Sequence, residues 1–208
     1  MAEAAPERMG QSFNFFLSLE MKRHGDFTKF EEDVKKLQAE VARRFPERAG
    51  KPTRIKSLHV TLLTLKLEEE EFDQVVDMVQ SAVNSYRKIH AGLEGLCVNF
   101  KGVGYARNEA RREDTIFAEM MLGNISVRIL RDFLLDGGLH RFVTDEQRWP
   151  HLTFYRKSRL SDSEKEEFRK AMEDIEIGRV EMVAVTLRKR KHGTTVLPPC
   201  KEFALWQD

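Results

Sequence analysis

The sequence predicts an α+β protein of two pseudo-symmetric lobes, each an antiparallel sheet with its helices outside, meeting at a central cleft. Three observations carry that expectation. A near copy of Leu58-His59-Val60-Thr61-Leu62-Leu63 returns as Pro150-His151-Leu152-Thr153-Phe154-Tyr155. Short apolar runs of strand character alternate along the chain with stretches whose apolar residues recur at helical spacing. The order strand, helix, His-x-Thr strand, helix, strand is performed twice, and the second histidine follows the first by 92 positions. An internal duplication of this kind implies two similar halves about a pseudo-two-fold axis, which sets the two His-x-Thr strands face to face.

Met1 to Gln11 is small, polar and Pro-containing and reads as a loose tail, leaving 12–208 as one bilobal domain. Phe13 to Leu19 is the first strand. Thr28-x-x-Glu31 is a capping-box pattern, and Phe27, Phe30, Val34, Leu37, Val41 and Phe45 then form a helical apolar stripe, closed by Pro46 and Gly50-Lys51-Pro52. The His59 strand follows. Glu68 to Glu71 suits a helix N-terminus, with Phe72, Val75, Val76, Val79 and Val83 facing inward. Leu96 to Phe100 is a strand expected to end near Gly102 and Gly104, and Arg107 to Asp114 reads as a charged loop.

The pattern then restarts. Thr115 to Met120 is a strand and Ile125 to Leu135 a helix, stopped by Gly137-Gly138. After the His151 strand, Ser161-x-x-Glu164 caps a helix that carries Phe168 and Met172. A strand from Glu181 to Leu187 leads to a final hairpin ending at Phe203-Ala204-Leu205-Trp206.

Composition narrows the class. With 41% hydrophobic and 33% charged residues and a net charge of +1, the chain has a core, a well-solvated surface and no global field selecting nucleic acid or membrane. Cys97 and Cys200 show no metal-ligand spacing and read as reduced thiols. No membrane-length apolar stretch and no signal-peptide core occur, so we expect a monomer located in the cytoplasm or nucleus, with no membrane partner. Asn124-Ile125-Ser126 matches a glycosylation sequon, which means nothing without secretion.

Alternation of side chains along a strand puts His59 and Thr61 on one face and Leu58, Val60 and Leu62 on the other. The second copy shares that pattern, with His151 and Thr153 on one face, Trp149 and Tyr155 on their side, and Leu152 and Phe154 opposite. One His-x-Thr is a weak signal, since a half-buried strand histidine is commonplace. Two copies in matched contexts are not. An imidazole titrates near pH ~6.5, so near neutrality one histidine can accept a proton while the other donates one. Two threonine hydroxyls can bond the non-bridging oxygens of a phosphate. That set is equipped to cleave a phosphodiester without metal or cofactor, and it makes a poor zinc site.

Paired His-x-Thr motifs on duplicated strands resemble the two-histidine (2H) phosphoesterase superfamily, which includes the LigT-type RNA 2′,3′-cyclic phosphodiesterases. Asn14-Phe15-Phe16-Leu17-Ser18, the two motifs and Gly102-Val103-Gly104 are similar to the branch containing the central domain of A-kinase anchoring protein 7 (gamma and delta forms). The resemblance spans roughly residues 12 to 206. It implies a bilobal LigT-like fold whose groove binds AMP-like nucleotides and cleaves 2′,5′-oligoadenylate or RNA ends, with His59, Thr61, His151 and Thr153 on the signature positions. An amphipathic helix for the kinase regulatory subunit does not follow the domain here, so that partner is not supported. A nucleotide-binding sensor or adaptor with little turnover is the alternative use of the same four residues.

Around them, Asn14, Phe16 and Tyr105 are candidates for holding a base, the aromatics by stacking. Arg156 and Lys157 are candidates for a flanking phosphate, and Lys51, Arg54 and Lys56 precede the first motif in a similar way. Leu187 to Lys191 resembles a nuclear-localisation run, or an edge strand guarded by charge. His24, His90, His140 and His192 fall in turns or at helix ends and are given no role.

Overall fold

The duplicated order is the order of the fold. A computed structural model of the chain describes residues 14–23, 27–90, 95–108, 112–121, 125–144, 150–190 and 200–206. The expected tail, His24, Asn124, Trp149, Lys191 and His192 lie outside these residues. The first half comprises β1 (Phe15–Met21), α1 (Phe27–Arg44), the two-residue β2 (Lys51–Pro52), β3 (Val60–Leu65), α2 (Phe72–Ile89) and β4 (Leu96–Asn108). The second comprises β5 (Glu113–Met120), α3 (Ile125–Asp136), β6 (His151–Ser158), α4 (Asp162–Met172) and β7 (Glu176–Lys189), with β8 (Lys201–Ala204) added at the end.

All pairings between named strands are antiparallel, and six strands close a circuit: β1 with β3, β3 with β6, β6 with β5, β5 with β4, β4 with β7, and β7 with β1. The pseudo-two-fold exchanges β1 with β5, β3 with β6 and β4 with β7. Each half therefore lends its last long strand to the other lobe, so that the lobes are β3-β1-β7-β8 and β6-β5-β4. The first part of β7 also pairs with β4 and its second part with β1, which joins the lobes into one hydrogen-bonded sheet.

Helices cover the outer faces, each burying one apolar stripe: Phe30, Val34, Leu37 and Val41 from α1; Val75, Val79, Val83 and Tyr86 from α2; Val127, Leu130 and Leu134 from α3; Phe168 and Met172 from α4. Phe45, just after α1, meets Phe168 edge-on at 5.6 Å, while Phe15 of β1 packs on Phe72 of α2 at 5.8 Å. The expected cap at Ser161/Glu164 forms as a reciprocal capping box, and Glu68 and Glu71 make a second one ahead of α2. Among the described residues no helix is long and apolar enough to cross a membrane.

Four local expectations are corrected. Thr28 lies inside α1, which already begins at Phe27. β4 does not stop at Gly102; the strand passes it with a register shift between Phe100 and Val103, Gly102 taking φ 71. The charged segment from Arg107 to Asp114 is not an open loop: Arg107 pairs with Asp114 and Asn108 with Glu113 at the end of a β4–β5 hairpin. Leu187 to Lys189 does not lie on a sheet edge, because these residues pair with Leu17, Phe16 and Phe15 on β1.

Candidate active site

β3 and β6 meet at the two-fold, with Val60 opposite Leu152 and Thr61 opposite His151. Residues directly opposite on antiparallel strands point the same way. One further step in that register sets His59 against Thr153, so the four side chains form a rectangle on the cleft face. Facing pairs have Cβ atoms about 4.5–5.5 Å apart and diagonal pairs about 7–8 Å. The histidines hold one diagonal and the threonines the other. Val60 and Leu152, pointing away from the cleft, are fully buried.

A bulge then follows each motif at the same place. On β3, Thr61 faces Ser18 but Leu63 faces Leu17, leaving Leu62 as an extra residue. On β6, Thr153 faces Phe117 but Tyr155 faces Ile116, leaving Phe154 extra. Each bulge shifts the phase of alternation by one residue. Tyr155 is consequently not beside His151, as simple alternation predicts; it lies buried on the helix face, where its hydroxyl donates to the Gln38 carbonyl at 3.2 Å. Arg156 takes the cleft face in its stead.

His59 sits in a defined electrostatic setting. Its Nδ1 lies 2.9 Å from the Ser57 carbonyl oxygen. A carbonyl can only accept, so Nδ1 carries the hydrogen and Nε2 is left as a free acceptor. Burial pushes the imidazole down to about 4, the Ser57 bond raises it, and the cations Arg156 and Arg188 lower it further. The Phe16 ring stacks on the imidazole at 5.3 Å and 27°. Arg188 donates to the Glu20 carboxylate and to Thr186 Oγ1, and the Ser18 and Thr186 hydroxyls lie 2.8 Å apart beneath them.

His151 is flanked by Phe117 at 4.5 Å and 40°. Gly104 faces Phe117 across the β4–β5 ladder. A Cβ at Gly104 would meet Phe117 Cε2 at 2.4 Å and Glu119 Oε1 at 2.6 Å, so the glycine makes the space in which that ring lies. Extending the β1–β3 and β5–β6 registers by one residue sets Glu20 opposite His59 and Glu119 opposite His151. Phe117, Glu20 and Glu119 were not singled out in the sequence, and Arg188 only as part of the charged run from Leu187 to Lys191. The signal available for two of them is the repeat itself, since Ser18-Leu19-Glu20 and Phe117-Ala118-Glu119 occupy matched places in β1 and β5.

The structure thus brings His59, Thr61, His151, Thr153, Phe16 and Arg156 to one face. Others are placed elsewhere. Asn14 joins β1 to the end of β3, its amide donating to the Leu67 carbonyl at 2.6 Å and its carbonyl accepting from Leu67 N at 2.9 Å, so both side-chain functions are engaged in the fold. Tyr105 faces Ile116, on the opposite side of β4–β5 from Gly104 and Phe117, and burial followed by the nearby Asp114 charge raises its hydroxyl strongly. Lys157 is exposed, with φ 62.

The model of a family described as the AKAP7 2′5′ RNA ligase-like domain matches residues 13–196. The chain belongs to this family. E. coli LigT complexed with 3′-AMP is similar in structure, at 15% identity and TM-score 0.60 over 94% of this chain and 99% of that one. A Thermus thermophilus protein matches at 18% and 0.60, covering 92% of this chain and 97% of its own. Kluyveromyces marxianus Usb1 matches at 14% and 0.53, over 92% and 98%. These likenesses are of fold, and with the AKAP7 2′5′ RNA ligase-like match they place the chain among the 2H phosphoesterases, with a LigT-like architecture. A sequence search of curated proteins finds no match.

Proposed function

We propose that this chain is a metal-independent phosphodiesterase that cuts RNA or 2′,5′-oligoadenylate, or opens 2′,3′-cyclic phosphate ends, by acid–base catalysis from two histidines. The observation that carries this reading is the cleft-face rectangle of His59, Thr61, His151 and Thr153, in which His59 presents an unprotonated Nε2. In cleavage, His59 Nε2 takes the proton of the attacking hydroxyl, from the neighbouring ribose or from water, as a new P–O bond forms. The P–O bond to the leaving group breaks, and His151 gives that oxygen its proton. Thr61 and Thr153 donate hydrogen bonds to the non-bridging oxygens, where negative charge grows. Phe16 and Phe117, one beside each histidine, offer faces for the two bases flanking the scissile phosphate.

LigT has been seen with 3′-AMP and with phosphate, ligands of the chemistry this rectangle suits. The deciding assay incubates the protein in EDTA with 2′,5′- and with 3′,5′-linked oligoadenylates, alongside His59→Ala and His151→Ala. Cleavage by the wild type and loss of at least about 10²-fold in either variant is expected. AMP binding without cleavage of either substrate would instead identify a nucleotide-binding sensor or adaptor.

A further inference from the structure

β2 pairs with β6 through Lys51 opposite Arg156 and Pro52 opposite Tyr155. Arg156 is on the cleft face, so Lys51 points to the same side, on β2, which lines the edge of β6 that β3 lines at the two motifs. Two cations directly across a ladder repel each other, and Arg156 is only partly exposed. Burial lowers the Arg156 guanidinium with no carboxylate to offset it. Neither cation has an ion-pair partner among the described residues, whereas Arg43, Arg44, Arg48, Lys101 and Arg188 all do.

The pair is also held in place. Gly50, at φ +83, lies so close to β6 that a Cβ there would stand 2.3 Å from the Arg156 carbonyl oxygen. Thr53 N donates to the Phe154 carbonyl at 2.9 Å, and Gln38 Nε2 donates to both the Thr53 and Phe154 carbonyls, at 2.8 and 3.1 Å. An edge strand protected by charge accounts for Lys51 alone. It does not account for a partly buried arginine facing it from the neighbouring strand. The matched position in the first half is Thr64, which is buried and bonded to Thr144 Oγ1 at 2.9 Å. The cationic extension therefore exists on one side of the rectangle only.

We infer that Lys51 and Arg156 form a subsite for a second phosphate of a single-stranded oligonucleotide, next to the phosphate held by the two His-x-Thr motifs. This rests on the reading of the rectangle as a phosphate site and adds that the ligand spans at least two phosphates and leaves on the β2 side.

The test is equilibrium binding of phosphorothioate-linked adenosine di- and trinucleotides without terminal phosphates, which offer one and two phosphates, to wild type and Lys51→Ala. Lys51 is exposed, and an unchanged melting temperature confirms folding. Wild type is expected to bind the trinucleotide about tenfold more tightly than the dinucleotide, with a log–log salt slope steeper by about 0.7. Lys51→Ala should lose most of that gain and that extra slope while still binding the dinucleotide. The same gain and slope in both proteins, or no gain in wild type, overturns the subsite. Since the readout is binding, a Lys51-dependent gain without cleavage of the unmodified trinucleotide would end the phosphodiesterase reading and leave the subsite standing.

Discussion

The duplication gives the two histidines matched positions, and for His59 the surroundings fix the state of its proton. His59 is buried against Phe16, fixed by the Ser57 carbonyl and exposed to the fields of Arg156 and Arg188, all of which bear on its proton. Burial is the largest influence and penalises the imidazolium, so the folded protein keeps His59 neutral down to about pH 4. An unfolded chain titrates it near ~6.5. Between those values the unfolded state binds a proton that the folded state refuses. The His59 contribution to stability is therefore complete above about pH 6.5 and falls as pH drops towards 4. Base function survives across the same window, so the acid limb of kcat/KM is expected near pH 4 and not near ~6.5. Arg156→Gln removes one of the cations and should move the limb upward. A pH–rate profile of both proteins checks this, and a wild-type limb at or above about pH 6.5 contradicts it.

The elements show how far sequence periodicity reaches. Four helices, both motifs and the strands other than β2, where a Gly50-Lys51-Pro52 turn was expected, were legible because each depends on a local pattern: stripes at helical spacing, the Ser161–Glu164 cap, and His-x-Thr in apolar runs. What escaped depends on partners distant in sequence. The bulges at Leu62 and Phe154 arise from cross-strand register, and they turn Tyr155 away from the cleft and Arg156 into it. Tyr105 looked available for a base, but the ladder with β5 sends it to the face that α4 covers. Gly104 looked like the end of a strand, whereas it is the floor under Phe117. That last relation is testable. Gly104→Ala forces the ring or the β4 backbone to shift, at about 1–3 kcal/mol of stability, and displaces Phe117 from His151. Denaturant midpoints should show the loss, with kcat/KM falling beyond it. In a Phe117→Ala background the same substitution should cost less, because the contact with the ring has gone and only the end of the flexible Glu119 side chain has to give way. Equal costs in the two backgrounds would mean that Gly104 serves the strand and not the ring.

At the scale of the whole molecule, the exchange of β4 and β7 makes each half incomplete without the other. β1 needs β7 on one side and β3 on the other, and β4 needs β5 and β7. The site depends on the same closure, since its rectangle is built from the first motif strand of one half and the second of the other. A chain divided in two at this level differs from a pair of tethered domains, which would each bury a core and unfold in separate steps. Here the unfolding transition should be single, with far-UV and near-UV circular dichroism coincident in denaturant. Separating the chain within 109–111, between β4 and β5, gives a sharper test. Each fragment alone carries strands with unpaired backbone groups and an apolar helix face with no sheet to cover, so neither should show dispersed amide resonances. Mixed in equal amounts, they should associate and recover dispersed spectra together with the phosphate site, because the strands exchanged between lobes supply the missing partners. A first-half fragment that folds by itself would show that the lobes assemble before the exchange and that the circuit is not what holds the cleft in shape.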